Sequence, residues 1–323
     1  MNYFLFDNPE DKLNMEFINQ NSSLGYKLIF PKKRCRSIKT MIQVCHGLIR
    51  QTQAEDNIIC WYDFMGVICW WICKLTHRRR HIIALNILLK EKNSSRNKLA
   101  RKLYRKAMLS NDFKASVTSP QYGEWLKNYL HIDRTFPVIH DVCHVSYDIQ
   151  YNGEVQNNSI FCGGRNGRDW FFLFKLAKAL PDVTFNVITS NDIYTTFKKT
   201  IPKNVRIQLD TTVDVFLKTM CKSTAVAIPL DTEAPAGLIA LFQAGANKKC
   251  VLATRTITTN EYITEDRGVL LEKDDLDLWK DAIIRVLENS DETIKKAKNF
   301  QQFLFNNCSE QEFMNGVDRL VLS

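Results

Sequence analysis

The chain has 323 residues, 45% of them apolar and 24% charged, with a formal net charge of +9 at neutral pH. The length exceeds the commonest single-domain size and allows two cores of about 150 residues each, while the composition is that of an ordinary globular protein and excludes disordered, collagen-like and repeat classes. The positive excess is confined to the first 150 residues, which hold 23 of the 44 Lys and Arg but only 13 of the 35 Asp and Glu; this half is the one fit to meet nucleic acid, an anionic membrane or a phosphorylated substrate.

The chain opens on an apolar run of about four residues with no basic segment before it, so no secretory signal is expected. Short apolar runs at 3–6, 28–30, 58–61, 82–85, 115–118 and 137–139 predict buried strands, several of them separated by helical patterns. The apolar stretch 58–73 is shorter than the roughly 20 residues a bilayer span needs and is interrupted by Asp63, so it is not a transmembrane helix. Trp70 and Trp71 then precede Arg78, Arg79 and Arg80, with Lys98, Arg101, Lys102, Arg105 and Lys106 beyond. Tryptophan flanked by cations suits an anionic membrane surface; a core helix followed by a solvated basic one is the equal alternative. The ten cysteines are scattered, with no CxxC pair and no zinc ligand set, which fits a reducing cytoplasm.

A polar segment at 146–159 carrying Gly153 marks the join, giving domains 1–152 and 153–323, with the last helix free to pack back on the first domain. Beyond the join the alternation is plain: strands SIFCG, TFNVIT, NVRIQL, TAVAIPL, KCVLAT and GVLL are separated by the helical patterns RDWFFLFKLAKAL, NDIYTTFKKTI, VDVFLKTMCKS, AGLIALFQAGAN and a turn at TTNEYI, and LDLWKDAIIRVLEN closes the series. Strand and helix repeated at this spacing predict an α/β fold with a parallel, doubly wound sheet, and ligands of such sheets bind beyond the carboxyl ends of the strands.

Two segments carry chemistry. FCGGRNGRDW at 161–170 joins a strand to a helix through Gly163, Gly164 and Gly167, offering backbone N–H groups at a helix start, with Arg165 and Arg168 beside them. Glycines and forked cations in that place suit a diphosphate, although a tight turn with solvated arginines is the plainer alternative. The second, AIPLDTEAPAGLIALFQAGANKKCVLAT at 227–254, sets Glu233 and Gly237 between a strand and a helix.

Together these resemble the phosphate loop and the Glu-x7-Glu region of retaining GT-B glycosyltransferases of the group 1, family 4-like type, which build bacterial surface polysaccharide and capsule; GVLLEKDDLDLWKDAIIRVL resembles their closing strand and helix. The resemblance spans about 159–289. It implies two Rossmann-like domains facing a central cleft and transfer of a sugar from a nucleotide-diphosphate donor to a saccharide acceptor, lipid-diphosphate-linked, at the inner face of the plasma membrane. It implies that Gly164, Arg165 and Arg168 hold the diphosphate, that Glu233 meets the donor sugar, that the backbone at Ala236, Gly237 and Leu238 faces sugar or phosphate, that the backbone near Leu230 meets the base, and that Thr189 and Ser190 line the same rim. The family's second glutamate, a ribose partner, aligns with Gln243, and the spacing from Glu233 is longer than the family's; an uncharged amide still bonds to hydroxyls.

Retention through an oxocarbenium-like state follows from the same resemblance, with the leaving diphosphate stabilised by cations, no cofactor and no metal. Asp274 and Asp275 precede a helix and predict an N-cap. Glu233 is the catalytic candidate of the second half and Asp63 that of the first; with Asp7, His140 and Asp141, Asp63 sits at a strand end, where capping is the ordinary role. Two other functions compete: a glycosyltransferase-like partner subunit without turnover, favoured by Gln243, and a nucleic-acid-binding protein using the basic half, disfavoured because that half has no nucleic-acid motif. GGRNGRD is not GxGxxG, which speaks against a dinucleotide enzyme.

Overall fold

The computed structural model of the chain describes residues 1–89, 94–164, 167–233 and 235–323, and of residue 13 only the backbone. The chain divides into two compact units, Met1–Val142 with Glu310–Ser323, and Cys143–Ser309.

The first unit runs β1 (Asn2–Leu5), α1 (Phe17–Gln20), β2 (Lys27–Ile29), α2 (Ile38–Gln51), β3 (Asn57–Cys60), α3 (Asp63–Leu75), β4 (His81–Ala84), α4 (Ser95–Met108), β5 (Phe113–Ala115) and α5 (Pro120–Leu130). Its strands pair in parallel in the order β2-β1-β3-β4-β5. Ser37, Ser94 and Ser119 accept the first-turn N–H groups of Thr40, Asn97 and Tyr122 and so start α2, α4 and α5. Phe4, Phe6, Ile59 and Ile83 share one core with Phe313, Met314 and Val317 of the C-terminal helix, Glu310–Leu322. That helix is fastened by Asp318, whose carboxylate accepts from Tyr26 Oη at 2.7 Å, Ser22 Oγ at 2.9 Å and the Ser23 backbone at 3.0 Å.

The expected strand at 137–139 does not form: Val138 makes one isolated parallel bridge with Val117. Pro137 has no N–H to give a ladder; the run expected at 115–118 forms its strand slightly earlier, at β5.

The second unit runs β6 (Gln156–Gly163), α6 (Trp170–Ala179), β7 (Thr184–Thr189), α7 (Asn191–Phe197), β8 (Val205–Leu209), α8 (Val213–Lys222), β9 (Ser223–Ile228), α9 (Leu238–Ala246), β10 (Cys250–Thr254), α10 (Thr259–Tyr262), β11 (Val269–Leu271), α11 (Leu276–Glu288) and α12 (Ser290–Asn307). The parallel order is β11-β10-β9-β6-β7-β8. Successive side chains alternate between two cores: Ile160, Cys162, Ala225, Ala227 and Leu252 line one face of the sheet, and Phe161, Val226, Ile228, Val251 and Ala253 the other. A sheet covered on both faces explains why these strands read as unbroken apolar runs.

The division falls at Val142 and Cys143, before the polar segment that the sequence picks out. Residues 143–149 are bonded into the second unit: Cys143 N–H donates to Cys308 O at 2.7 Å, and Asn247 holds Tyr147 O at 2.6 Å and Ile149 N–H at 3.2 Å. All ten cysteines are free and buried.

Candidate functional site

In the second unit β6 is flanked by β7 on one side and β9 on the other. The chain reverses its winding there, and the carboxyl ends of β6 and β9 frame the switch point where open α/β sheets bind ligands. The loops leaving those two strands are stitched together. Asp169 N–H donates to Pro229 O at 3.0 Å, Asp231 N–H to Gly167 O at 3.1 Å, and Arg168 and Leu230 form an antiparallel bridge. Thr254 Oγ1 accepts from Leu230 N–H at 2.8 Å, which anchors the second loop to β10.

Arg168 lies at the centre, 5% exposed. Its Nε donates to Gly163 O at 2.9 Å, while Nη1 is buried without a hydrogen-bond partner. Two glycines make room for the fork. Gly164, at φ +124, would place a Cβ 3.2 Å from Arg168 Nη2, and Gly237, at φ +80, would place one 2.7 Å from Nη1. Both φ values lie where a side chain is strained as well. Gly237 is the N-cap of α9 and no side chain caps that helix, so the positive end of the helix dipole and the guanidinium occupy one place.

The electrostatics there are unbalanced. Burial pulls the pKa of Arg168 down, and among the described residues no carboxylate pairs with it. The neighbouring Cys162 thiol is pushed up to about 12 by burial and stays neutral. An uncompensated buried cation costs several kcal/mol, which a ligand anion would offset. This cradle can hold an anion with forked acceptors, such as a diphosphate.

The structure thus brings Gly164, Arg168, Leu230 and Gly237 together, and Thr189 joins them through Oγ1, 3.4 Å from Gly164 O. Ser190 follows Thr189 at the start of α7 and is buried. Glu233 is exposed on the second loop, its Oε2 accepting from Ile257 N–H at 3.1 Å. Ala236 and Leu238 bury their side chains in the core, leaving their backbone to serve the site. Gln243 is buried further along α9. Arg165 lies outside the described residues. Asp275 caps α11, accepting from Leu278 N–H at 3.0 Å.

Three first-half readings need correction. Asp63 is not displayed to a substrate: it is 3% exposed, and its Oδ2 accepts from Leu88 N–H at 3.0 Å and Tyr104 Oη at 2.7 Å, fastening the start of α3 to the segment after β4 and to α4. Trp70 is no surface anchor; nine of the 13 residues of α3, Trp70 among them, are buried, and Trp71 is half-buried with Lys106 Nζ 5.5 Å over its ring. Arg80 is turned inward, donating to Thr52 Oγ1 at 2.8 Å and Ile49 O at 3.3 Å, while Arg78 and Arg79 are exposed.

The sequence reading missed the threonine loop after β10. Thr256 and Thr259 bond to each other, Thr259 Oγ1 donates to Thr254 O at 2.7 Å, and Thr258 Oγ1 is buried without a partner. The signal was four threonines within six residues, Thr254 to Thr259, at the carboxyl end of a strand.

No protein-family model matches the chain, and no curated protein matches it in sequence. Solved structures do match in fold. S. aureus TarM, in complex with fondaparinux, alpha-GlcNAc-glycerol and UDP, superposes with a TM-score of 0.69 at 14% identity, over 87% of this chain and 59% of that one. Anabaena HepE, in complex with UDP-glucose, gives 0.73 at 12% identity with both chains fully covered. Sucrose-phosphate synthase from Thermosynechococcus elongatus gives 0.78 at 12% identity over 99% of this chain and 98% of that one. The chain spans 59% of the length of TarM. Identities this low speak for architecture alone, and that architecture is the GT-B fold of glycosyltransferases, with one parallel sheet of five strands and one of six.

Proposed function

We propose that the chain is a glycosyltransferase that takes a sugar from a nucleotide-diphosphate donor and passes it to a saccharide acceptor. The observation that carries the proposal is the buried, unpartnered Nη1 of Arg168 beneath Gly237 at the uncapped start of α9. HepE and TarM, which share the fold, bind UDP-glucose and UDP.

In this reading the Arg168 fork and the first turn of α9 take the diphosphate, Glu233 meets the donor sugar, Gln243 and the backbone near Leu230 serve ribose and base, and Thr189 and Ser190 complete the rim. Charge builds on the departing diphosphate as the glycosidic bond breaks, and a preorganised cation in a dry place stabilises it more than it stabilises the ground state. That stabilisation needs no metal, and transfer through an oxocarbenium-like state with retention completes the reading. The acceptor is a lipid-diphosphate-linked saccharide in surface-glycan assembly, at the inner face of the plasma membrane. The positive excess of the first 150 residues supports that part.

The test is release of nucleoside diphosphate from UDP-, GDP- and ADP-sugars, with a CMP-sugar, which can release only a monophosphate, as the negative control, with and without extracts of lipid-linked saccharide, for the wild type and Glu233→Gln. Release from one donor, lost in the variant, is expected. Tight donor binding with no release under any condition would favour the partner subunit without turnover.

A further inference from the structure

A cationic cavity lies in the first unit at the amino ends of its strands. Residues 77–80 immediately precede β4 and residues 110–112 immediately precede β5, so they gather at the amino ends of the strands, away from the carboxyl ends where α/β sheets place their chemistry. Between them lies a cavity of about 650 Å³ lined by Trp70, Lys74, His77, Arg78, Arg79 and Asp112, with Arg80 at its base.

The charge balance there is one-sided. Asp112 is already taken by Lys74, at 3.2 Å. Arg80 is spent on the backbone and side chain of Thr52, and it fixes the wall. Arg78 gives one N–H to Ile49 O at 3.3 Å, which orients its fork and leaves the other donors open. Arg79 is exposed and makes no ion pair among the described residues. Lys74 Nζ stands 5.4 Å over the Trp70 ring, and the indole Nε1 of Trp70, in a side chain more than nine-tenths buried, has no hydrogen-bond partner. The cavity therefore presents two forked cations, Arg78 and Arg79, while Lys74 and Asp112 offset each other and the Trp70 Nε1 is shut into the wall. A phosphoryl group has enough acceptor oxygens to engage two forks at once and carries more charge than a carboxylate, which suits a wall holding two guanidinium groups.

We propose that this cavity binds a phosphoryl group, carried either by a lipid headgroup or by a soluble phosphorylated ligand, through Arg78 and Arg79. Leu75 and Leu109, each next in sequence to a lining residue, are 75% and 58% exposed, a setting that suits the headgroup source. The site is independent of the Arg168 cradle.

The experiment uses the full chain in two arms. Calorimetric titration with inorganic pyrophosphate, and flotation with phosphatidylglycerol-containing against pure phosphatidylcholine vesicles, are run in an Arg168→Met background, which removes diphosphate binding at the second-unit cradle, on the otherwise unchanged chain, on Arg78→Ala with Arg79→Ala, and on Lys199→Ala with Lys203→Ala as a charge-matched control in the second unit. All three should share circular dichroism, and the arginine variant should lose no more stability than the single Arg78 bond to Ile49 O supplies. A tenfold or greater loss of pyrophosphate affinity in the arginine variant alone assigns a soluble ligand, and the same loss confined to anionic vesicles assigns a headgroup. Equal losses in the arginine and lysine variants, or no loss in either arm, would overturn the site.

Discussion

Replacing Arg168 by methionine separates the two things this side chain does. Met follows the Arg stem as far as Nε and has no charge, so the stem's packing is kept and only the space of the guanidinium carbon and its two end nitrogens is vacated. The unliganded protein loses one hydrogen bond, Nε to Gly163 O at 2.9 Å, and with it an uncompensated buried cation. The bond and its orphaned acceptor are worth about 1–3 kcal/mol and the unpaired charge costs several, so the net change in unliganded stability should stay within about 1 kcal/mol of zero, or be favourable. The liganded protein is different. Nη1 has no competing partner, so the fork can give one or two charge-assisted bonds to a diphosphate, each about 1.5–3 kcal/mol. Losing about 3 kcal/mol raises Kd by roughly a hundredfold. At a ligand concentration of 100 times the wild-type Kd, ligand-induced stabilisation of about 2.7 kcal/mol would fall to about 0.4 kcal/mol. Denaturant melts with and without nucleoside diphosphate read both quantities. The reasoning is refuted if Arg168→Met binds the nucleotide as the wild type does, or if its unliganded stability falls by more than about 3 kcal/mol, which would make the side chain a structural prop.

Gly237→Ala places a Cβ 2.7 Å from Arg168 Nη1 at a backbone φ of +80, so it should cost about 1–2 kcal/mol in stability and weaken nucleotide binding further by displacing the fork, both measurable in the same melts. Both bonds to Asp63 go to Oδ2, so Asp63→Asn should keep them, fold and retain turnover, whereas Asp63→Ala should lose about 2–4 kcal/mol; loss of turnover in a well-folded Asn variant would restore a catalytic role. Burial raises the Asp63 pKa above its ordinary 3.8, so the folded state holds this proton more tightly than the unfolded one: the stability this group supplies is full below 3.8 and is lost as pH rises through the raised folded value, a slope that Asp63→Asn should remove from the pH dependence of unfolding. Asp318→Ala strips acceptors from Tyr26, Ser22 and Ser23 together and should cost about 3 kcal/mol by chemical denaturation, with Tyr26→Phe costing about a third of that.

How far the sequence led differed between the two halves for physical reasons. The second unit was readable because its strands, covered on both faces, are continuous apolar runs set off by helices of ordinary period, and because Gly163, Gly164 and Arg168 stand at a strand-to-helix junction. What made Arg168 unusual was not readable. Its burial depends on Gly237, nearly seventy positions away, leaving room for Nη1, and on a bridge to Leu230. In the first half a local pattern misled. Trp70 followed by three arginines looks like an interfacial anchor, yet α3 is apolar nearly all round, the mark of a helix packed on both sides, and Gly66 brings it so close to β4 that a Cβ there would sit 2.8 Å from Ala84 Cβ. Asp63 was correctly seen at a strand end, but whether such a carboxylate faces outward or anchors a loop depends on Leu88 and Tyr104, which no short-range pattern links to it.

The measurement that bears most directly on the account is calorimetric titration of the wild-type chain with matched nucleoside mono- and diphosphates of uracil, guanine, adenine and cytosine. The account predicts that one base is preferred and that its diphosphate binds at least tenfold more tightly than its monophosphate, because the second phosphate reaches the cation at Arg168. Equal affinity for the two, or no binding of any diphosphate, would contradict it.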